Sequence, residues 1–573
     1  MDPNGVAGFP AEPLAQEFGD GVRPDRPVCG LPALRARPEA VPALLRLLRD
    51  REPYRFTMLV DVTCVDHMQR DDPPERFELV YTLYSFSRGH RVLVKCWLAE
   101  ERLEVDSVTP LFKNADWLER EVLDQYGVRF KGHPNPKRLL NHREFVGHPL
   151  RKDYDIQKGQ WLSEADDLLD ELDRRRSRDP REGSGDGERM LLNLGPSHPA
   201  AHGTLRNLLE LDGETIIYAI PEIGYLHRGF EKDAEIHDYN GIVPYTDRLN
   251  YCSAIINNVA YVKAVEKLCG IEITERCQYV RVIMVELSRI MDHLVCNGAA
   301  LVDLGALSNF WYLFNLREKI YNILETQTGA RLTNSYARVG GLWADVTDDF
   351  AASVREVLLE VPRHVNDTLR LVARNRIFLD RTVGIGAISP EDAVSFGYTG
   401  PCLRATGVEW DLRKVEPCYH YDEFDFDVAV GQRGDAYDRL MVRFEEMRQS
   451  CRIIEQALGR LPDGPINISD RRFMLPPKEE VYGSIEGMVS HFNIVMRGLP
   501  VPEGDVYDSF EAANGELGFS IVSDGSGIPQ KCHVRAPCLH IYSSFPSLVE
   551  GRMIADAVAT LGSLNIIAGE LDR

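Results

Sequence analysis

The sequence predicts an α+β protein with a small N-terminal α/β module and a large, mostly α-helical module with β-structure at its ends. Three observations support this prediction. β-prone runs concentrate before residue 155, amphipathic helical runs follow residue 249, and a charged stretch with few apolar residues separates the two. We therefore expect domains at residues 1–155 and 189–573, joined by a charged, Gly- and Ser-containing linker at 156–188. The pattern in this linker allows a short helix at 163–175, after which the chain becomes flexible. The run Arg174 to Arg176 in that linker favours a solvated face.

A β-meander is predicted in the first module. Runs rich in β-branched and aromatic residues, separated by polar or Gly-containing turns, cover residues 54–65, 76–86 and 91–98. Helical patterns flank them at 41–49 and 116–126. Together these elements indicate a sheet that is covered by helices.

The second module is predicted to begin with a hairpin and to continue as helices. Two β-prone runs flank Asp212 and Gly213, a dipeptide suited to the positive φ angles of a type I′ turn. From Ile255 to Leu268, apolar residues recur every three or four positions, and Gly270 follows as a stop signal. Longer helical patterns cover 279–305, 311–328, 348–374 and 435–461.

Composition excludes several classes of protein. Of the 573 residues, 44% are apolar and 27% are charged, as in folded soluble proteins. The formal charge of −22 disfavours nucleic acid as a partner. No apolar run is long enough to span a bilayer, and the N-terminus lacks a signal-peptide pattern. We expect a cytoplasmic chain, or one that is attached to a membrane through other proteins.

The twelve cysteines stand alone, and none forms a CxxC pair. Their isolation disfavours a disulfide framework, a zinc ribbon and an iron–sulfur site that depends on closely spaced thiolates. We therefore expect this chain to bind no metal or cluster cofactor by itself.

Two loops carry residues suited to acid–base chemistry. The segment GPSHPAAHG at 195–203 holds His198 and His202 between Gly and Pro residues that fix the backbone. Histidines in such loops are more often structural hydrogen-bonders than functional groups. Tyr251 ends the segment YTDRLNY at 245–251, where its phenol either donates a proton or packs in the core.

A third candidate is the helical pattern at 282–305, which places several ionisable residues among apolar neighbours. Burial of so many charges is costly unless they pair, so this helix either forms an ion-pair network or lines a polar cavity. Pairing is the commoner outcome. The residues concerned are Glu286, Arg289, Asp292, His293 and Asp303.

Long ordered phrases in the second module carry a resemblance. They are LNLGPSHPAAHGTLR at 192–206, IGYLHRGFEK at 223–232, YTDRLNY at 245–251, ARNRIFLDRTVGIG at 373–386, WDLRK at 410–414, GDAYDRLMVRFEEMRQS at 434–450 and GELDR at 569–573. Through them, residues 189–573 resemble the 49-kilodalton (D) subunit of respiratory complex I, the proton-translocating NADH:quinone oxidoreductase.

The first module resembles another protein of the same complex. The phrases EREVLDQYGVRFKGHP at 119–134 and GHPLRKDY at 147–154 are similar to those of the 30-kilodalton (C) subunit. Residues 1–50 carry no such likeness. The chain therefore looks like a fused C/D subunit, and the linker marks the place where two otherwise separate proteins are joined.

The resemblance implies a fold and a site. The D subunits share the fold of the [NiFe]-hydrogenase large subunit, with the metal site turned into a quinone headgroup pocket beside the iron–sulfur B subunit. In hydrogenases two cysteine pairs hold nickel, whereas the corresponding segments here, 228–231 and 569–573, contain no cysteine. A [NiFe]-hydrogenase-type large subunit and a non-catalytic scaffold remain the alternative interpretations.

Roles in the family carry over to matching residues of this chain. His202 and Tyr251 match the two groups that give protons to the quinone, and Asp303 matches the aspartate that accepts a hydrogen bond from the histidine. The resemblance also assigns other residues to the quinone pocket or to the surroundings of the terminal [4Fe–4S] cluster of the B subunit. These residues are His198, His227, Arg228 and Arg331.

The same resemblance implies partners and a location. We expect contacts with the B and I subunits, with the quinone-channel H membrane subunit and with other peripheral-arm subunits, at the cytoplasmic face of the bacterial inner membrane. Proton pumping belongs to the membrane partners. Ubiquinone and menaquinone are both candidate acceptors, and NADH is the electron donor that the family implies.

Two departures from the family pattern concern Thr333 and Asn565. Thr333 stands where members with a high-potential cluster often carry histidine, so we expect a lower, less pH-dependent cluster potential that suits a menaquinone-type acceptor. Potentiometric titration by electron paramagnetic resonance at several pH values tests this hypothesis, and a steep pH dependence would contradict it. Asn565 stands where the family commonly has aspartate, and the sequence alone assigns it no consequence.

Overall fold

The first module contains a five-stranded sheet with the strand order β1-β2-β5-β4-β3. A computed structural model describes residues 9–70, 73–161, 168–177 and 189–573. In this sheet β2 and β5 are parallel and the other neighbours are antiparallel. The elements are α1 Ala11–Phe18, β1 Val22–Val28, β2 Leu31–Ala36, α2 Val41–Asp50, β3 Met58–Asp66, β4 Phe77–Ser85, β5 His90–Leu98, β6 Glu104–Asp106, α3 Ala115–Tyr126, β7 Arg129–Lys131 and, in the predicted linker, α4 Leu168–Arg176.

The second module opens with a three-stranded antiparallel sheet, continues as helices and contains a second three-stranded sheet near its end. Its elements are β8 Met190–Leu194, β9 Arg206–Asp212, β10 Thr215–Glu222, α5 Phe230–Ala234, α6 Tyr239–Thr246, α7 Ala254–Cys269, α8 Glu275–Asp303, α9 Leu307–Thr328, β11 Ala337–Arg338, β12 Gly341–Leu342, α10 Phe350–Val372, α11 Arg376–Asp380, α12 Pro390–Ser395, α13 Gly400–Arg404, α14 Leu412–Val415, α15 Ala436–Arg460, α16 Lys478–Gly483, α17 Ile485–Arg497, β13 Gly504–Ala512, β14 Gly515–Ser523, β15 Lys531–Arg535, α18 Pro537–Ser543, α19 Phe545–Val549, α20 Ile554–Leu564 and α21 Ala568–Asp572.

The predicted meander, the hairpin and the long helices are confirmed as β3 to β5, β9 with β10, α7, α8, α9, α10 and α15. One detail differs, because β-structure does not close the second module. Four helices, α18 to α21, follow the last strand and return the C-terminus to the interior, where Arg573 is 2% exposed. No helix within the described residues is long and apolar enough to cross a lipid bilayer.

Helix α8 is the central scaffold of the second module, and it packs against α9, α15 and α20. The Thr274 side chain caps its first turn by accepting a hydrogen bond from the Cys277 N–H. Of its ionisable residues, Glu286 pairs with Arg289, and His293 pairs with Glu446 of α15. The ion-pair interpretation therefore holds for Glu286 and Arg289. It does not hold for Asp292, which accepts hydrogen bonds from two amides, and Asp303 at the end of the helix is only partly buried.

The two modules share one hydrophobic core. A single cluster of buried side chains includes Leu83 of β4 and Val122 of α3 together with Leu209 of β9 and Leu561 of α20. Trp410 crosses the boundary and donates a hydrogen bond from its indole N–H to the Tyr84 hydroxyl at 3.0 Å. The linker therefore separates the modules along the chain but not in the core.

Buried charges also cross this junction. His533 donates from one ring nitrogen to Asp61 at 2.8 Å and from the other to Glu231 at 2.6 Å. Arg573 donates to Glu121 at 2.6 Å. Because two carboxylates surround its ring, the pKa of His533 rises to about 9. Glu121, Glu231 and His533 bring metal-type ligand atoms within 4.8 Å, but both imidazole nitrogens are already engaged in these ion pairs.

Helix α4 overlaps the short helix that the linker pattern allows, and it is docked on the second module. Leu168 and Leu172 pack in one cluster with Leu208, Tyr218 and Ile220 of the β9–β10 hairpin. Residues 162–167 and 178–188 of the linker lie outside the described residues. Packing of the apolar side of α4 therefore holds this helix of the linker in place.

The solvated face predicted for the arginine run is wrong for two of its three residues. Arg176 donates to Glu210 at 2.6 Å, and Arg175 donates to Glu550 at 2.9 Å. Glu210 is fully buried on β9, so its carboxylate needs a cation nearby. The sequence alone could not reveal this partner.

Candidate functional site

The loop between β8 and β9 carries His198 and His202. Gly195 opens it at φ +106°, and a Cβ there would lie 1.9 Å from the Leu205 carbonyl oxygen, so only glycine fits. The exposed His198 accepts a hydrogen bond at Nδ1 from the Ala200 N–H at 3.2 Å and thereby caps a single 3₁₀ turn. His202 follows that turn in the left-handed region, with φ +55°. The loop is therefore folded on itself and presents His202 at its end.

His202 and Asp303 are in direct contact. The imidazole Nε2 and the carboxylate Oδ2 are 2.5 Å apart, and the two side chains are 18% and 21% exposed. Gly562 of α20 lies beneath the pair, since a Cβ there would stand 3.3 Å from both atoms. The carboxylate fixes the imidazole ring and leaves Nδ1 without a hydrogen-bond partner among the described residues.

Tyr251 lies in a 3₁₀ turn between α6 and α7. The preceding Asn250 accepts a hydrogen bond from the Cys252 N–H at 3.1 Å and holds this turn. Partial burial, reinforced by nearby Cys252, Cys538 and Asp292, raises the pKa of Tyr251 to about 12. The phenol therefore stays protonated at neutral pH and is a hydrogen-bond donor.

The start of α21 lies between the histidine loop and the tyrosine. A Cβ on Gly203 would be 3.2 Å from Ala568, and a Cβ on Gly569 would be 3.4 Å from the Tyr251 ring. Consecutive residues of one short helix thus contact the two segments that carry His202 and Tyr251. The three residues that sequence reasoning singled out as catalytic, His202, Tyr251 and Asp303, consequently lie around one region.

His227 and Arg228 lie beside the C-terminal residues. His227 donates from Nδ1 to the Asp572 carbonyl at 2.7 Å, and the Leu226 N–H donates to the Asp572 carboxylate at 2.8 Å. Arg228 donates to the Tyr245 carbonyl at 3.0 Å. Burial and the neighbouring Arg248 lower the pKa of Arg228, which still remains a cation at neutral pH. The segments around 228–231 and 569–573, far apart in sequence, therefore meet.

Arg331 is not brought to this region by any described contact. Its guanidinium pairs with Glu318 and Glu325 on the surface of α9 and lies 5.2 Å from the Tyr321 ring centroid. Thr333 follows it in the connection to β11 and is half-buried. The local ion pairs account for the position of Arg331 without a neighbouring cluster.

The structure also places buried polar residues near Tyr251 that sequence reasoning did not connect with it. Asp292 of α8 accepts hydrogen bonds from Asn250 and Asn565, and Glu570 of α21 lies close by. Burial raises the pKa of Glu570 to about 7. Asn250 could have been singled out because it precedes Tyr251, but no sequence signal joins Asp292 to Asn565.

Two family models match the chain. The model described as the 30 Kd subunit of respiratory-chain NADH dehydrogenase matches residues 34–160, and the model described as its 49 Kd subunit matches residues 303–573. The two matches follow one another along the chain in the same order as the two modules.

Similar curated proteins extend over most of the chain. The fused C/D subunit of NADH-quinone oxidoreductase from Bdellovibrio bacteriovorus is 49% identical over 539 residues, which cover 93% of this chain and 94% of that protein. The C/D subunit from Acidiphilium cryptum is 40% identical over 93% of this chain and 92% of that protein. The D 1 subunit from Sorangium cellulosum is 56% identical over 67% of this chain and 96% of its own length. By these matches the chain belongs to the family of fused C/D subunits of NADH-quinone oxidoreductase, respiratory complex I.

Proposed function

We propose that the region around His202, Tyr251 and Asp303 binds the quinone headgroup and supplies it with protons. The observation that carries this proposal is the joint placement of an imidazole held by a carboxylate and a phenol, both beside the first residues of α21. Reduction of a quinone to a quinol takes two electrons and two protons, one proton for each carbonyl oxygen. Two proton donors near one headgroup match that demand.

The hydrogen bonds leave both donors free for a substrate. Nε2 of His202 faces Asp303, and among the described residues neither its Nδ1 nor the Tyr251 hydroxyl has a hydrogen-bond partner. Tyr251 gives up its proton less readily than an ordinary phenol, because burial raises its pKa to about 12. Tyr251 therefore orients the second carbonyl oxygen and gives up its proton only as negative charge develops there.

The electrons come from outside this chain. We assign them to the terminal [4Fe–4S] cluster of the neighbouring B subunit, as the family resemblance implies. Arg228 supports this arrangement because it places a partly buried cation beside the C-terminal residues. A fixed cation near a cluster would raise the cluster's reduction potential.

The hydrogenase alternative lacks its ligands. The two segments that would carry the cysteine pairs do meet, since the Arg228 N–H lies 3.4 Å from the Arg573 carbonyl oxygen. Neither segment, 228–231 or 569–573, contains a thiol. This meeting supports a hydrogenase-like large-subunit fold whose nickel ligands are missing.

The remaining assignments follow the family resemblance. We place the chain in the peripheral arm at the cytoplasmic face of the bacterial inner membrane, beside the B, I and H subunits. The module at 1–155 serves as a scaffold for the module at 189–573, and their shared core supports that role. Thr333, which cannot take up a proton, favours a menaquinone-type acceptor.

Replacement of the two donors tests the proposal. In membranes that contain complexes with His202→Ala, NADH:quinone reductase activity should fall by about 100-fold or more, the usual loss for a general acid. Complexes with Tyr251→Phe should also lose NADH:quinone reductase activity. Electron transfer to an artificial acceptor that accepts electrons upstream of the pocket should stay normal and serves as the control. Wild-type quinone reduction by both variants, in normally assembled complexes, would overturn the proposal.

A further inference from the structure

Asp292 is an unusual buried carboxylate. It is fully buried on α8, yet its two described hydrogen bonds come from neutral amides rather than from cations. Asn250 Nδ2 donates to Oδ2 at 2.8 Å, and Asn565 Nδ2 donates to Oδ1 at 2.6 Å. Other buried carboxylates of this core, such as Glu286 and Glu446, pair with arginines. The geometry of Asp292 therefore depends on those two amides.

Each amide belongs to a different segment of the proposed quinone site. Asn250 precedes Tyr251, and its backbone carbonyl accepts a hydrogen bond from Asn257 of α7 at 3.0 Å. Asn565 follows α20 in the left-handed region, at φ +60°, and leads into α21. Its amide also donates to Asn514 Oδ1 at 2.6 Å. Asp292 thus ties the tyrosine turn to the segment that contacts both the histidine loop and the Tyr251 ring.

Helix α8 holds both ends of the site. Asp303, which contacts His202, and Asp292 are eleven residues apart, so they share a face of α8 and are separated by about three turns, or roughly 16 Å. Any shift of Asn250 or Asn565 relative to Asp292 would change where the phenol lies with respect to the imidazole. Such a shift affects catalysis because proton donation requires positioning within a fraction of an ångström.

We propose that Asn565, acting through the buried Asp292 and Asn250, is a positioning residue for Tyr251, and that its amide makes this link independent of pH. The inference rests on the proposed quinone site. An amide does not titrate, whereas a second carboxylate within hydrogen-bond distance of Asp292 could not ionise without losing the contact. The titratable groups near Asp292 are His293 and Cys296 on α8 itself and, on the elements packed against it, Tyr251, Cys252, Arg443, Cys538 and Glu570.

The test uses the intact membrane complex with two variants of this chain. Asn565→Asp places two carboxyl groups in contact, while the double variant Asp292→Asn with Asn565→Asp exchanges amide and carboxylate and keeps both composition and charge. Quinone reductase kcat and KM are measured from pH 6 to pH 9 with a short-chain quinone. Complex content and electron transfer to an upstream artificial acceptor are the controls.

For Asn565→Asp we expect near-normal kcat at pH 6, where the two carboxyls share a proton, and a kcat about tenfold below wild type at pH 9, with a smaller change in KM. The double variant should recover the wild-type pH profile, after Asn514 turns its amide toward the new carboxylate. A profile of Asn565→Asp that superimposes on wild type, or a double variant no better than the single one, would overturn the inference.

Assembly is also informative. If Asn565→Asp yields no assembled complex, the double variant is the test, because its exchanged amide and carboxylate retain the hydrogen bond between positions 292 and 565. Failure of both variants to assemble contradicts the inference. Tyr251→Phe separates this inference from the function on which it rests. If Tyr251→Phe lowers quinone reductase activity but the pH profile of Asn565→Asp matches wild type, only the positioning role is refuted. If Tyr251→Phe has wild-type activity, the assignment of Tyr251 to the quinone site is refuted.

Discussion

The junction between the modules and the candidate quinone site use the same residue types in opposite ways. At the junction, His533 has a carboxylate on each ring nitrogen and is 3% exposed. At the site, His202 is 18% exposed and has one carboxylate, and its second nitrogen has no partner among the described residues. A saturated hydrogen-bond set fixes structure, whereas an incomplete one leaves a donor for a substrate. Changes at the junction should therefore cost stability, and changes at the site should cost activity.

The largest effect is expected from Arg91→Met at the junction. Arg91 of the first module pairs with the fully buried Glu516 of the second module at 2.8 Å and also with Glu416. Removal of the cation leaves Glu516 buried and unpaired, which should lower the free energy of unfolding by about 3 to 5 kcal/mol. Urea unfolding of the purified chain measures this loss.

Arg70→Met is the matched control at the rim of the same junction. Arg70 pairs with Glu503 at 3.1 Å, but the two side chains are 46% and 65% exposed. Solvent screening should hold the loss below about 1 kcal/mol. Equal losses for the two variants would show that burial does not govern the junction.

The second effect is a pH dependence of stability that comes from His533. Its pKa rises from 6.5 to about 9 on folding, so the folded state binds the proton more tightly. The resulting stabilisation is fully present below pH 6.5, declines as the pH rises and is lost above about pH 9; its size is on the order of 3 kcal/mol.

Unfolding measured at pH 7 and pH 9.5 checks this sign. Wild type should lose more stability over this interval than His533→Gln, in which the titrating group is gone. The comparison cancels other groups that titrate in the same range, among them lysines and tyrosines. An equal loss in both proteins would contradict the assignment of the imidazolium to the junction.

The third effect concerns the site. Asp303→Asn should lower quinone reductase kcat by about 10- to 100-fold, because the imidazole loses the carboxylate that orients it. The urea midpoint should stay near that of wild type, since the Asp303 side chain is 21% exposed. A large loss of stability with little loss of activity would reverse the contrast between the two regions.

The smallest effect is expected at the linker helix. Arg176→Gln removes one cation from the buried Glu210, but Arg189 also reaches that carboxylate at 3.4 Å, so the loss should be about 1 kcal/mol. Arg174→Gln is the control, because Arg174 is exposed and donates only to the Asp170 carbonyl among the described contacts. Identical unfolding curves for both variants would mean that α4 contributes nothing through this pair.

Local sequence patterns predicted the helices and strands better than they predicted the contacts between them. The period of apolar residues located α7 and α8 within a few residues, because a buried helical face repeats along the chain. The docking of α4 escaped prediction, since its apolar residues are few and its partner Glu210 lies beyond the linker. The strands β1 and β2, near the N-terminus, were also missed because two prolines interrupt the first of them.

The site was predicted by motif resemblance rather than by pattern. A single histidine or tyrosine in a loop is most often structural, and only the surrounding phrases singled out His202 and Tyr251. The link between Asp292 and Asn565 could not be predicted, because these residues are 273 positions apart and neither belongs to a periodic pattern that indicates contact. Long-range polar contacts of this kind become visible only in the folded chain.

The most direct test of the account is a structure of the assembled complex with a bound quinone. The account predicts one carbonyl oxygen of the headgroup within about 3 Å of His202 Nδ1 and the other within about 3 Å of the Tyr251 hydroxyl. It also predicts that the Asp303 contact with His202 persists. A headgroup bound elsewhere, or one that contacts neither side chain, would contradict it.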